Sequence, residues 1–133
     1  MLLNNDRQIS KTIESKRRLL LQKDLFELLQ WMDEIEFIHT ELNTFTIIEK
    51  QLIKKTSMTL KIQDLRRKNT LIMSVLCKYE QLIKNEIEYG KQDYDIKRSK
   101  EHEKQRELLL SLVKEYRCLN SEINKFVCQF HIR

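Results

Sequence analysis

The chain has 133 residues with no proline, no alanine and one glycine, Gly90, and its 25 Lys and Arg outnumber its 20 Asp and Glu for a net charge of +5. One glycine cannot build a phosphate-cradling loop, a dinucleotide turn or a strained nucleophile elbow, because each needs backbone at positive φ or in close approach to a ligand. Scarce turn residues exclude β-sandwiches and barrels, and 41% hydrophobic residues beside 34% charged ones point to an all-α protein of long amphipathic helices, in a coiled coil or an extended helical bundle.

The length suits one domain. As a single helix the chain would extend about 200 Å at about 1.5 Å per residue, so it either folds back or leaves an apolar stripe for a partner. Its periodicity divides it into an N-terminal helical segment (1–89), a highly charged hinge or solvated helix (90–107) and a C-terminal coiled-coil helix (108–133).

The first segment begins with Asn5, a capping residue, and Gln8 three positions on. A helix is predicted from about residue 6 into the fifties. Its apolar stripe consists of Leu28, Trp31, Ile35, Ile38, Leu42, Phe45 and Leu52, widened by Leu21, Leu25, Met32, Ile48 and Ile53. A stripe this wide fits a bundle of three or more helices better than a two-stranded seam. Thr and Ser make 55–59 poor in helix formers, but without Gly, Pro or Asn continuity is favoured over a tight reversal, and the helix can continue to residue 89. Beyond it, Ile62, Leu65, Asn69, Ile72, Leu76, Tyr79 and Ile83 step three and four apart. With Ile62 at heptad position a, Asn69 is also at a, where a lone Asn fixes register at a cost in stability; the other reading is a kink or a solvent-facing edge.

Gly90 suits the residue after a helix end, and Asp93 or Asp95 can cap the helix that follows. That helix is predicted from about 96 to 131. Residues 91–107 carry eleven charges in seventeen positions, so they either form a solvated helix or connect two packing units. Leu109, Leu112, Tyr116, Leu119, Ile123, Phe126 and Phe130 then alternate three and four apart without a break. This seam is expected to pack on 62–89 or on a partner chain.

Charge is segregated along the chain. Residues 1–23 carry +4, 24–49 carry −7 with no Lys or Arg, and 50–68 carry +6. A hairpin at 56–59 would set Lys50, Lys54 and Lys55 beside Lys61, Arg66, Arg67 and Lys68, an arrangement that like-charge repulsion disfavours. A partner of opposite sign facing Asp33, Glu34, Glu36 and Glu41 is the alternative. The basic runs Lys16-Arg17-Arg18 and Lys54-Lys55, with Arg66-Arg67-Lys68, are candidate contacts to an acidic polymer, although solubility alone accounts for such runs.

Site chemistry is sparse. Cys128 and His131 share a helical face, but two ligands make no metal site, and neither His39 nor His102 stands at local motif spacing from them. Cys118 and Cys128 are too far apart on one helix to bridge, Cys77 is expected to pack, and His39 is read as an edge-of-core residue. The run from Leu25 through Trp31 to Glu36 resembles the first helix of a spectrin-type three-helix repeat, in which a tryptophan sits among Leu and Glu. The similarity covers about a dozen residues and lacks a second tryptophan in the last helix, so it implies convergence on bundle packing.

No enzyme, cofactor, metal or small-molecule substrate is expected. The function expected is that of a coiled-coil subunit or scaffold of a multiprotein complex, cytoskeletal and associated with microtubules, spindle or centrosome. Other coiled-coil chains would cover the 31–52 and 109–130 faces, in a hetero-oligomer by preference and a homo-oligomer as the alternative. Alternatives are a nucleic-acid-associated helical protein using 7–23 and 50–68, or a membrane-trafficking tether. Three cysteines without framework spacing, no apolar signal region and no transmembrane segment suggest the cytoplasm or nucleus.

Overall fold

The computed structural model describes residues 2–132, with side chains from 7 to 130, and the chain is all-α. Helix α1 spans Leu2–Ile48, one π-helical turn spans Glu49–Ile53, α2 spans Thr56–Tyr89 and α3 spans Ile96–Ile132. None of these helices is long and apolar enough to cross a membrane. Asn5, expected to cap the first helix, lies inside α1, which already begins at Leu2, and the Cys128–His131 pairing involves a side chain outside the described ones.

The helices run up, down and up. Asn69 of α2 reaches Ile35 of α1, and Arg17 of α1 reaches Glu86 near the end of α2, so these two helices are antiparallel. Lys61 and Lys68 of α2 meet Glu122 and Glu115 of α3, which returns alongside. At about 1.5 Å per residue, the 47 residues of α1 extend about 70 Å and the 34 of α2 about 50 Å. Because α2 ends beside Arg17, the start of α1 projects past the bundle and Ile9 and Ile13 are exposed.

The expected continuity through 55–59 is overturned at Lys54. The π-turn closes with the Lys54 N–H donating to Glu49 O at 2.7 Å, and Lys54 adopts φ 53° and ψ 43°. Among the described residues it is the one non-glycine residue at positive φ, a conformation that costs an L-residue about 1–2 kcal/mol. The predicted like-charge repulsion does not prevent the reversal, because the basic residues diverge toward two neighbours. Arg66 donates to Asn43 at 2.8 Å and Thr46 at 3.0 Å on α1, whereas Lys61 and Lys68 pair with α3 and Lys55 lies over the Phe126 ring. Repulsion between exposed charges amounts to a few tenths of a kcal/mol per pair, and burying a Leu, Ile, Phe or Met side chain contributes about 1.5–3 kcal/mol. Phe45, Ile53, Met58, Ile62 and Leu65 are all buried around this turn, so hydrophobic burial prevails.

One core joins the three helices. It contains Leu28, Ile35, Ile38 and Leu42 from α1, Ile62, Leu65, Leu76, Tyr79 and Ile83 from α2, and Leu109, Leu112, Leu119 and Ile123 from α3. Trp31, Ile72, Tyr116 and Phe126 pack against it half-buried. Tyr116 stacks on Phe45 at 5.9 Å and meets Phe37 edge-on. Asn69 is buried, as position a requires, and its amide partner is the Ile35 carbonyl at 3.3 Å. Gly90 follows α2 with φ −74° and ψ 149°, an ordinary extended conformation. Glycine is needed there for closeness, since a Cβ would lie 2.6 Å from Glu86 O.

Lys54→Gly is expected to raise stability by about 0.5–1 kcal/mol, because relief at positive φ outweighs the added freedom of the unfolded chain, and the thermal midpoint should rise by a few degrees. Lys54→Val should lower it, since a β-branched residue resists this conformation. Thermal melts followed by circular dichroism distinguish the two outcomes.

Candidate functional site

Two features are not explained by core packing alone. One is a buried polar cluster between α1 and α3. Asp24 and Glu27 are three apart on α1 and so share its inner face, while His102 and Arg106 are four apart on α3 and face them. Asp24 and His102 are each only 2% exposed. His102 Nε2 lies 3.4 Å from Asp24 Oδ1 and 3.6 Å from Glu27 Oε1. On its other side, His102 Nδ1 shares a 2.7 Å hydrogen bond with the Tyr79 hydroxyl of α2. Tyr94, from the connector between α2 and α3, donates to Asp24 Oδ2, and Arg106 donates to Glu27 Oε2. Lys23 ion-pairs with Asp24 Oδ1 at 3.0 Å and Glu27 Oε1 at 3.2 Å.

The electrostatics follow from burial and proximity. Burial lowers the His102 pKa below the usual histidine range, against the opposing pull of Asp24 and Glu27, so the neutral imidazole is favoured. Burial raises the Tyr79 and Tyr94 hydroxyls well above the ordinary phenol range, and the nearby Asp24 carboxylate adds to both shifts. At Glu27 burial acts upward, but hydrogen bonds from Lys23 and Arg106 leave the carboxyl below its ordinary range. Trp31 stacks on the imidazole at 4.8 Å between ring centroids, and the Arg106 guanidinium lies over the indole. Beside the cluster a cleft of about 230 Å³ is lined by Asp24, Tyr79, Tyr94, Arg98 and Glu101 among others.

The second feature is the outer face of α1. Leu19, Phe26, Leu29, Phe37 and Ile47 are exposed. At 3.6 residues per turn they fall within roughly 100° of arc, opposite Leu28, Ile35 and Leu42. Exposed Asp33 and Glu36 lie on the same arc, and exposed Glu34 lies near it.

The structure redistributes the residues singled out from sequence. Leu28, Ile35, Ile38, Leu42, Phe45, Ile62, Leu65, Asn69, Leu76, Tyr79, Ile83, Leu109, Leu112, Leu119 and Ile123, expected to meet a partner, are buried within the chain's own bundle. The α2 reversal lets three stripes cover one another, which removes the need for an outside helix there. Leu52 and Phe130 remain exposed. The basic runs do not form one patch. Arg17 is buried, held by Glu14, and donates to Glu86 O at 3.0 Å and Gly90 O at 2.6 Å, clamping the end of α2. Arg66 and Lys68 are engaged with neighbouring helices, whereas Lys16, Arg18, Lys54 and Arg67 are exposed. Cys77, expected to pack, is exposed, and so is His39. The 90–107 stretch splits: α3 already begins at Ile96, and within it His102 and Gln105 are buried.

Sequence reasoning missed the polar cluster, because Asp24 and His102 are 78 positions apart and only the bundle topology joins them. The available signal was a histidine at core spacing, seven residues before Leu109. No family model, curated protein or solved structure matches the chain.

Tyr79→Phe keeps the ring but removes the partner of a buried imidazole nitrogen. A loss of about 1–3 kcal/mol is expected. Urea unfolding should give a lower midpoint at an unchanged slope, and an unchanged midpoint would assign no energetic role to the Tyr79–His102 bond.

Proposed function

We propose that this chain is a non-catalytic helical interaction protein, a subunit or scaffold of a multiprotein complex, and that it docks a partner helix on the outer face of α1. The observation behind this reading is the exposed apolar row on that face, with Phe26 63% and Phe37 51% exposed. Apart from the edge contact of Phe37 with Tyr116, the bundle's filled interior leaves this row facing solvent. Solvent-facing aromatic residues of this kind act as anchors in helix-in-groove recognition.

The chemistry of the occupant follows from charge. Residues 24–49 contain seven acidic side chains and no Lys or Arg, and of these Asp33, Glu34 and Glu36 face solvent. A complementary partner is an amphipathic helix whose Leu or Ile knobs are flanked by Lys and Arg, and the opposed charges set its orientation and speed its association. The proposed setting is a cytoskeletal complex associated with microtubules, spindle or centrosome; its support is the Leu- and Ile-rich, basic, helical composition. Engagement of Arg17, Arg66 and Lys68 within the bundle leaves the nucleic-acid reading with fewer free cations than its linear sequence suggests.

The test uses two synthetic helical peptides with the same apolar positions, one flanked by Lys and the other by Glu. The Lys peptide is expected to bind and the Glu peptide to bind at least tenfold more weakly. Phe26→Ser combined with Leu29→Ser should cost at least tenfold in Lys-peptide affinity while changing stability by only about 0.5 kcal/mol per site, as exposed substitutions do. Leu119→Asp should unfold the chain, because Leu119 is a core residue. Equal binding of the two peptides, or full binding by the double variant, would refute the docking face. Co-sedimentation with polymerised microtubules tests the proposed setting separately.

A further inference from the structure

The polar cluster turns one atom from each of three ligand-type side chains toward a common point, where the Lys23 ammonium already meets the two carboxylate oxygens. These atoms are His102 Nε2, Asp24 Oδ1 and Glu27 Oε1, mutually within 4.8 Å. The opposite atom of each side chain is tied by a different residue: His102 Nδ1 by Tyr79, Asp24 Oδ2 by Tyr94 and Glu27 Oε2 by Arg106. Outer hydrogen bonds of this kind orient metal ligands and select the histidine tautomer. Two of the converging atoms, Asp24 Oδ1 and His102 Nε2, are buried and have no aligned hydrogen-bond partner. In the tautomer that carries its proton on Nδ1 and donates it to Tyr79, the one a metal would select, Nε2 directs a lone pair toward the two carboxylate oxygens. The half-exposed Lys23 ammonium balances the two carboxylates but leaves Nε2 without a partner, whereas a metal ion at the common point would engage all three atoms.

We propose that Asp24, Glu27 and His102 form a binding site for a divalent transition cation, with zinc as the best-fitting ion, that links α1 to α3. Zinc bonds to imidazole nitrogen and carboxylate oxygen are about 2.0–2.2 Å long, so tetrahedral ligands lie roughly 3.3–3.5 Å apart. The separations from Nε2 to the two carboxylate oxygens are 3.4 Å and 3.6 Å. One imidazole with two carboxylates suits zinc, manganese or iron(II) better than calcium or magnesium, which prefer all-oxygen shells. Three protein ligands leave a fourth position for water, next to the cleft lined by Asp24 and Tyr94. The Lys23 ammonium contacts the same two oxygens from the solvent side and is half exposed, so it is the internal cation that a metal displaces. The site and the outer face of α1 are argued from different residues, and either stands without the other.

The full-length chain carrying Cys77→Ser, Cys118→Ser and Cys128→Ser, substitutions at three exposed thiols that would themselves take zinc, is stripped of metal and titrated with zinc by calorimetry. One zinc per chain is expected to bind, with a raised thermal midpoint, and cobalt(II) in its place should show the intense visible absorption of a tetrahedral site. Lys23→Gln should bind zinc about tenfold more tightly, since it removes the competing charge. Asp24→Asn and His102→Gln should lose the stoichiometric site, with circular dichroism confirming that each variant folds. Because Lys23 is exposed, its variant gives an answer even if the buried substitutions do not fold. Absence of one-to-one binding in both the parent and Lys23→Gln overturns the site, as does zinc affinity that is unchanged in a folded Asp24→Asn chain.

Discussion

The bundle depends on a reversal that the chain makes without glycine or proline. Lys54 takes the left-handed conformation, and the π-turn before it brings Glu49 O within 2.7 Å of its N–H. Everything distant in sequence follows from that turn. It lays α2 back along α1, opens a groove for α3, and places residues from Leu28 to Ile123 around one core. The strain is tolerated because Phe45, Ile53, Met58 and Ile62 are buried around it, and together they outweigh a penalty of about 1–2 kcal/mol.

Apolar stripes alone would leave the helices free to slide, because Leu and Ile knobs repeat at nearly equal steps. Polar groups in the interior remove that freedom. Asn69 donates to the Ile35 carbonyl, Arg17 donates to two carbonyls at the end of α2, and His102 joins Tyr79 to the Asp24 side of α1. Each makes its bonds at one register, and a slip by one turn would leave a buried polar group unpaired, which costs more than a lost contact. Arg17 has the further task of holding the extended residues after Tyr89, where α2 must stop for the chain to turn into α3.

The surface that remains is uneven. The basic residues of 50–68 are partly drawn inward to α1 and α3, while the acidic stretch divides between the buried Asp24 and Glu49 and the solvent-facing Asp33, Glu34 and Glu36. This leaves α1 with an outer face that is apolar and negative. The absence of alanine has a related effect: these helices meet through large Leu, Ile and aromatic side chains, and Gly90, where a Cβ would crowd Glu86, falls in a connector.

Helical periodicity was legible along most of the sequence, the charged stretch 91–107 excepted, since an amphipathic repeat is a local property that three- and four-residue steps record directly. The core positions 28, 35, 38, 42, 62, 65, 76, 83, 109, 112, 119 and 123 could be read from it, whereas Asn69 had two readings and the packed helices decided for burial. Their partners could not, because a stripe that faces another segment of its own chain looks the same as one that faces a different chain. The reversal at Lys54 left only a weak local signal, the Thr- and Ser-containing stretch 55–59, since its left-handed backbone is sustained by contacts that exist only once the helices have packed. The meeting of Asp24, Glu27 and His102 is likewise a product of topology: the sequence by itself determined that these helices form and which faces they bury, and only the tertiary structure decided which charges and hydroxyls share a site.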